Sequence, residues 1–267
     1  MDRKIFNQLR TIIYQTSGIA LSEKKENLVA SRIGKRMRAL GIHTHKEYLE
    51  MVKSNETGEE ITEMLDAIST NVTSFFREPN HFQFVETVFK EWLDQGQKTF
   101  RFWSAASSTG EEPYTLAMVI REAMADHKVD IKILGTDINT KVLQACRNGV
   151  YKEDKMRSVP QVLRDRYADY RMIDGVYCYV IKPELKQLIS FCRLNLSKPP
   201  FPMSGPFDIV FCRNVMIYFD DEVRKRLLDE IYRLIKPGGY LLVGHAESLT
   251  GMLSGFKSVK PSVYIKN

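Results

Sequence analysis

The chain has 267 residues, enough for one large domain with an appendage or for two domains of ordinary size. A formal net charge of +6 and a pI near 9.0 favour an anionic partner, but acids and bases are interspersed, so nucleic acid is allowed rather than implied. Cys146, Cys178, Cys192 and Cys212 show no C-x-x-C spacing, no apolar run approaches the roughly 20 residues of a membrane span, and the Asp2-Arg3-Lys4 start is no secretory signal. A cytoplasmic protein with reduced thiols, no metal and no membrane insertion is expected.

Residues 1 to 70 read as an all-helical N-terminal domain. Ile5, Leu9, Ile12 and Ile13 share a face at helical spacing, and Gly18 is placed to stop that helix. Ser22 opens a second helix with the apolar stripe Leu28, Val29, Ile33, Met37 and Leu40, ended by Gly41. A third is expected from Thr44 or His45 through Val52, and a fourth from Glu59 to Ile68. The second helix carries Lys24, Lys25, Arg32, Lys35, Arg36 and Arg38 against only Glu23 and Glu26. Two readings stay open, a solvated face or an electrostatic dock for an acidic helical partner. His43 and His45 are spaced too closely to share a metal on one helix face.

The stretch Ser69-Thr70-Asn71-Val72-Thr73-Ser74-Phe75-Phe76-Arg77-Glu78-Pro79 mixes hydrogen-bonding residues with paired aromatics. A helix would not favour Thr and Asn so densely. Residues 71 to 90 are expected to link the domains and lie over a ligand, with Arg77 able to grip a carboxylate bidentately. A helix with Phe82, Val85, Val88, Phe89 and Trp92 inward then leads to a buried strand near Thr99.

Everything from about residue 91 to 267 reads as a second domain built on the segment FRFWSAASSTGEEPYTLA, residues 100 to 117. A short apolar strand gives way to Ala105, Ala106, Ser107, Ser108 and Gly110, with Pro113 near a helix start, the opening of a nucleotide-binding βα unit. Small residues let the backbone approach a ligand. Glu111 and Glu112 stand where a phosphate would want bare N–H groups and positive potential, so a cationic or zwitterionic nucleoside such as S-adenosylmethionine fits better. The alternative is an ordinary strand-to-helix turn. Asp137, closing the run Ile131 to Thr136, is placed to accept from ribose hydroxyls, leaving the next helix cap to Asn139 or Thr140.

Beyond Gly149 the alternation breaks. Arg171-Met172-Ile173, Asp174-Gly175 and Val176 to Val180 form a hairpin signature, and a third short strand is expected after Pro183, making a small antiparallel insertion over about 168 to 187. Strands resume at Ile189 to Leu194, Phe207 to Cys212 and Tyr240 to Val243; a helix to Lys236 and a Pro237-Gly238-Gly239 turn precede the last of these. Runs at Phe256 to Val259 and Ser262 to Lys266 suggest a closing hairpin. The fold class is α/β: a Rossmann-like methyltransferase fold with an antiparallel β insertion, preceded by the all-α domain.

The segments TNVTSFFRE (70 to 78), FWSAASSTGEEPYTLAM (102 to 118), GTDIN (135 to 139), FCRNVMIYF (211 to 219) and LIKPGGYLLVGHAES (234 to 248) together resemble the CheR family of chemotaxis-receptor glutamate methyltransferases. The resemblance implies an enzyme that moves a methyl group from S-adenosylmethionine to glutamates on the cytoplasmic helices of methyl-accepting chemotaxis receptors, leaving S-adenosylhomocysteine. It implies cofactor contacts at Asn71, Thr73, Arg77, Ala105, Glu111, Asp137, Asn195, Leu196, Cys212, Arg213 and Asn214, with Glu111 on the methionine ammonium. Arg77, Arg213 and Tyr218 are the implied catalytic candidates, and the basic second helix gains weight as a receptor dock. In some members the inserted hairpin binds a pentapeptide at the receptor's C-terminus. A monomer that binds no nucleic acid is expected. The rival readings are a methyltransferase acting on another substrate such as nucleic acid, and a non-catalytic cofactor-responsive module.

Overall fold

The computed structural model describes every residue except 56, 248, 250, 251, 253 and 254, so Ser248, which closes the last of the quoted segments, lies outside the described residues. Four helices come first: α1 (Arg3–Ser17), α2 (Glu26–Leu40), α3 (His45–Ser54) and α4 (Glu59–Ile68), with a short 3₁₀ turn at Glu23–Lys25. Asp2 caps α1 by accepting from the N–H groups of Lys4 and Ile5, and left-handed Gly18 and Gly41 end α1 and α2. Thr44 and Glu47 form a capping box on α3. Phe6, Leu9, Ile13, Val29, Ile33, Tyr48 and Met64 make a separate core for these helices. Leu28, expected on the inward stripe of α2, is instead 43% exposed, because α2 buries only the narrow face of Val29, Ile33 and Met37.

Helix α5 (Pro79–Asp94) leads into the sheet. Strands β1 (Thr99–Ser104), β2 (Asp130–Asp137), β6 (Ile189–Arg193), β7 (Phe207–Cys212), β8 (Ile235–Val243), β9 (Phe256–Lys260) and β10 (Val263–Lys266) form one seven-stranded sheet in the order β6-β2-β1-β7-β8-β10-β9. The first five of these in spatial order are parallel, and β10 and β9 close the edge antiparallel. Every residue of β7 is buried, as a central strand covered on both faces requires. The order reverses direction at β1, so the crevice above the carboxyl ends of β1, β2 and β7 is where an open α/β sheet takes a ligand. Helices α6 (Glu111–Met124), α7 (Thr140–Asn148) and α11 (Asp221–Leu234) connect these strands.

A second, antiparallel sheet has the order β3-β5-β4, with β3 (Val150–Lys152), β4 (Ala168–Ile173) and β5 (Val176–Ile181); short helices α8 (Glu153–Met156), α9 (Gln161–Tyr167) and α10 (Pro183–Lys186) flank it. The expected hairpin is there, but its third strand is β3, before the hairpin, and the run after Pro183 is helical. A proline lacks the N–H a ladder needs and suits a helix's first turn, as it does in α10. Two further boundaries differ. Helix α6 starts at Glu111, so Pro113 is its third residue. Helix α11 stops at Leu234, and Pro237-Gly238-Gly239 runs within β8, where the register against β7 shifts between Phe207 and Ile209.

Candidate active site

The turn after β1 is held by its neighbours on both sides. Ala105 N–H donates to the Phe211 carbonyl of β7, and Ser107 N–H to the Thr136 carbonyl of β2, both at 2.8 Å. Ser108 (φ 48°) and Gly110 (φ 98°) turn the chain in the left-handed region. Gly110 has no room for a side chain, since a Cβ there would lie 2.7 Å from the Tyr151 hydroxyl. Asp137, at the end of β2, is tied to this turn: its Oδ2 accepts from Ser108 N–H and its Oδ1 from Asn139 N–H, each at 2.9 Å. Burial raises its pKa above the usual carboxylate range, and the backbone N–H groups oppose that shift. Asn139 caps α7 by accepting from Lys141 and Val142.

The N-terminal helices complete this corner. Asp66 of α4 accepts from Thr140 N–H (2.9 Å) and Thr140 Oγ1 (2.6 Å), and its carbonyl accepts from Asn139 Nδ2 (3.0 Å). At the opposite end, Asn195 Nδ2 donates to the Thr16 carbonyl at 2.6 Å, and a Cβ on Gly18 would stand 2.4 Å from Ser197 Cβ. The ends of α1 and α4 therefore press against the loops that follow β6 and β2.

Between these parts lies a cleft of about 1230 Å³ of atom-free space, its open mouth included, bordered by Asn71, Thr73, Arg77, Ala105, Asp137, Asn195, Leu196, Arg213, Asn214 and Tyr218. Ten residues expected at the site thus meet around one opening. Glu111 and Cys212 do not border it. Glu111 is fully buried, with Thr109 Oγ1 donating to its Oε2 at 2.6 Å and Lys155 Nζ 3.5 Å from its Oε1. Cys212 is fully buried within β7, and its thiol is pushed far up in pKa, first by burial.

Of the two acids at the start of α6, the one that borders the cleft is Glu112. Its Oε1 accepts from Ser104 Oγ at 2.7 Å, and its Oε2 lies 3.1 Å from Arg213 Nη1. Glu78 takes the other side of the same guanidinium, with Oε2 at 3.2 Å from Nε and 3.1 Å from Nη2, and Nη2 also donates to the Arg77 carbonyl. Arg213 packs over the rings of Phe82 and Phe211, 5.6 and 5.8 Å from their centroids. Two carboxylates, Glu78 and Glu112, thus share one guanidinium at the cleft wall. Burial raises the Glu112 pKa although Arg213 opposes it. For Glu78 burial is outweighed by Arg213 and the His245 N–H, and its pKa is lowered.

Non-glycine residues with left-handed φ cluster here: Phe76 (53°), Glu78 (56°), Ser108 (48°) and Asn214 (57°). Such conformations persist where the surroundings over-determine them. At Asn214 the determinant is Glu247, whose carboxylate accepts from the N–H groups of Asn214 (2.6 Å), Met216 (2.8 Å) and Gly244 (2.8 Å). It fixes the loop carrying Tyr218, whose carbonyl accepts from Ala20 N–H and whose ring lies 5.3 Å from Lys25 Nζ. Glu112 was named beside Glu111, but the ammonium was given to Glu111, and Glu78, Glu247 and Asp66 were not singled out by sequence reasoning. Only Glu112 had a local signal, as the neighbour of Glu111 at the helix start.

The second helix was expected to open at Ser22, but α2 begins at Glu26, and Lys24 and Lys25 lie in the 3₁₀ turn before it; the basic residues of the turn and the helix separate into two groups. Arg36 is spent internally on Glu60 (2.7 Å) and Glu63 (3.2 Å), and Arg32 Nη1 donates to the carbonyls of Ile68 and Ser69, holding the segment that enters the cleft wall. Lys24, Lys35 and Arg38 are exposed, whereas Lys25 borders the cleft.

A mainly parallel sheet with a small-residue turn, a carboxylate at the end of the second strand and a further carboxylate, Glu112, at the cleft wall is the arrangement of the S-adenosylmethionine-dependent methyltransferase class. Residues 71–265 match the family model "CheR methyltransferase, SAM binding domain", and residues 4–69 match "CheR methyltransferase, all-alpha domain". The chain belongs to the CheR methyltransferase family. It is 37% identical to a chemotaxis protein methyltransferase of Borreliella burgdorferi, covering 98% of this chain and 93% of that one. Identity to chemotaxis protein methyltransferase 2 of Pseudomonas aeruginosa is 36% (98% and 92% covered), and to the chemotaxis protein methyltransferase of Escherichia coli 33% (97% and 89%).

Proposed function

We propose that the protein transfers the methyl group of S-adenosylmethionine to glutamate side chains on the cytoplasmic helices of bacterial chemoreceptors, releasing a glutamate methyl ester and S-adenosylhomocysteine. The observation that carries this reading is the part-buried Glu112 carboxylate at the cleft wall, a partner for a cationic donor and a poor neighbour for phosphate. Among the described residues no helix is long and apolar enough to cross a membrane; the proposed enzyme acts as a monomer in the cytoplasm.

When bound, the donor supplies an electrophilic methyl on a sulfonium. Glu112 takes the ammonium in place of Glu111, Asp137 accepts from the ribose, Asn195 and Leu196 border the adenine, and Ala105 keeps the turn low enough for close approach. Asn71, Thr73 and Arg77, in the 71 to 90 segment between an N-terminal unit of residues 1 to 70 and the catalytic unit of 91 to 267, cover the ligand. The substrate glutamate, with an ordinary pKa of about 4.3, arrives ionised, so no general base is needed. Alignment is the main task left to the protein. Tyr218 orients the carboxylate, with Lys25 and Arg77 supplying positive potential at the mouth. The donors of Arg213 are already occupied, so it acts by positioning Glu112. Lys24, Lys35 and Arg38 offer the acidic receptor helix its docking charges.

The test is incubation with methyl-labelled donor and receptor-bearing membranes, followed by mild alkali. Label released as methanol supports a carboxyl methyl ester. Alkali-stable label, or binding without turnover, overturns the proposal.

A further inference from the structure

Glu78, His81 and His245 converge on the Glu78 side of the Arg213 guanidinium, away from the Nη1 contact with Glu112. One potential ligand atom from each lies within 4.8 Å of the others. Glu78 is the left-handed N-cap residue before α5 and His81 lies in the first turn of that helix, and His81 Nδ1 stands 3.4 Å from Glu78 Oε2. Metal–nitrogen and metal–oxygen bonds of about 2.0 to 2.2 Å in a tetrahedron place neighbouring donors roughly 3.3 Å apart, so that pair already has the required separation. The rings of His81 and His245 meet edge to face, 5.0 Å between centroids.

A second observation points to a ligand. His81 is 1% exposed, yet neither ring nitrogen has a hydrogen-bond partner among the described residues. A buried imidazole with both nitrogens idle is costly unless something else engages one of them. Both histidines border a cavity that opens to solvent beside Asn80, Gln83 and Lys260, which gives an ion a path of entry.

We propose that Glu78, His81 and His245 form a binding site for a divalent first-row transition-metal ion of the zinc type. Two imidazoles and one carboxylate are the donor set such ions select over calcium or magnesium, and water completes the fourth position. His245, exposed on its loop, closes the remaining gap by side-chain rotation. Arg213, 3.1 Å from Glu78 Oε2, opposes the ion's charge and holds the affinity below that of a closed structural site. Because Glu78 serves both Arg213 and the ion, the metal would stand behind Arg213, with Glu78 and that guanidinium between it and the cleft.

The experiment is titration of the metal-stripped, tag-free full chain with Co²⁺, followed by its visible d–d bands, and with Zn²⁺ by calorimetry. One equivalent should bind, without the near-ultraviolet thiolate band that cysteine ligation would give. Affinity should fall at least about tenfold in His245→Ala and His81→Gln. It should be unchanged in Cys192→Ser and His43→Ala, which remove other exposed ligand types. Should His81→Gln fail to fold, His245→Ala still decides, since it alters an exposed side chain. Absence of saturable binding at one equivalent, retention within about twofold in His245→Ala, or loss in Cys192→Ser overturns the proposal.

Discussion

The Glu112 carboxylate lies 3.1 Å from the Arg213 guanidinium, and both border the same cleft. Glu111, one residue earlier, points into the protein beside Thr109 and Lys155. Adjacent helical residues are about 100° apart around the axis, so only one of the two acids can face the donor. Glu112→Gln should weaken S-adenosylhomocysteine binding at least about tenfold, the equivalent of a lost charge-assisted hydrogen bond. Glu111→Gln should leave it within about twofold, and calorimetry on both variants checks the assignment. Equal losses in the two would refute it.

The same carboxylate sets a pH dependence. Burial holds the Glu112 pKa above the usual glutamate value, and a cationic ligand needs its charged form. Affinity should be full well above that raised pKa and should fall as pH drops through it, beginning before an ordinary glutamate would titrate. In Glu112→Gln this dependence should flatten. The contributions to folding have opposite signs for the two acids flanking Arg213. The raised Glu112 pKa adds stability at pH below its ordinary value, lost as pH rises through the folded one. The lowered Glu78 pKa adds stability above its ordinary value, lost as pH falls through the folded one.

Arg213→Lys should destabilise strongly. A lysine cannot satisfy Glu78, Glu112 and the Arg77 carbonyl together, and a broken buried pair typically costs about 3 to 5 kcal/mol. Urea unfolding measures the cost; a midpoint equal to the native one would show that the trio contributes little.

Tyr218→Phe should lower the single-turnover methylation rate while leaving cofactor affinity intact, because the hydroxyl is assigned to the substrate carboxylate and not to the donor. A variant as fast as the native enzyme removes Tyr218 from the chemistry.

Charge reversal at Lys24, Lys35 and Arg38 should reduce receptor methylation in a salt-dependent way without altering cofactor affinity. Arg36→Glu should behave differently and lower stability itself, since it opposes Glu60 and Glu63 across the helical core. Methylation insensitive to the triple reversal at low salt would exclude α2 and the 3₁₀ turn before it as the dock.

Much of the fold was readable because the chain marks its own boundaries. Gly18 and Gly41 end helices as their placement suggested, and Asn139 caps α7. The strand-turn-helix at 100 to 117 and the acid closing β2 also stand where local pattern put them. What could not be read depends on partners distant in sequence. Arg36 and Arg32 look like free surface charge until α4 brings Glu60 and Glu63 to the first and the segment after it brings its carbonyls to the second. Glu247 is an acid near the end of a motif until three N–H groups from other loops turn toward it. The choice between Glu111 and Glu112 turns on helix phase, which no composition reports.

Gly18 bears on how the two halves of the chain could drift apart. Its left-handed backbone and the 2.4 Å approach of Ser197 leave no volume there for even a methyl group. Any other amino acid would act as a wedge driven under the loop that follows β6, so this position governs the width of the seam between the N-terminal helices and the sheet.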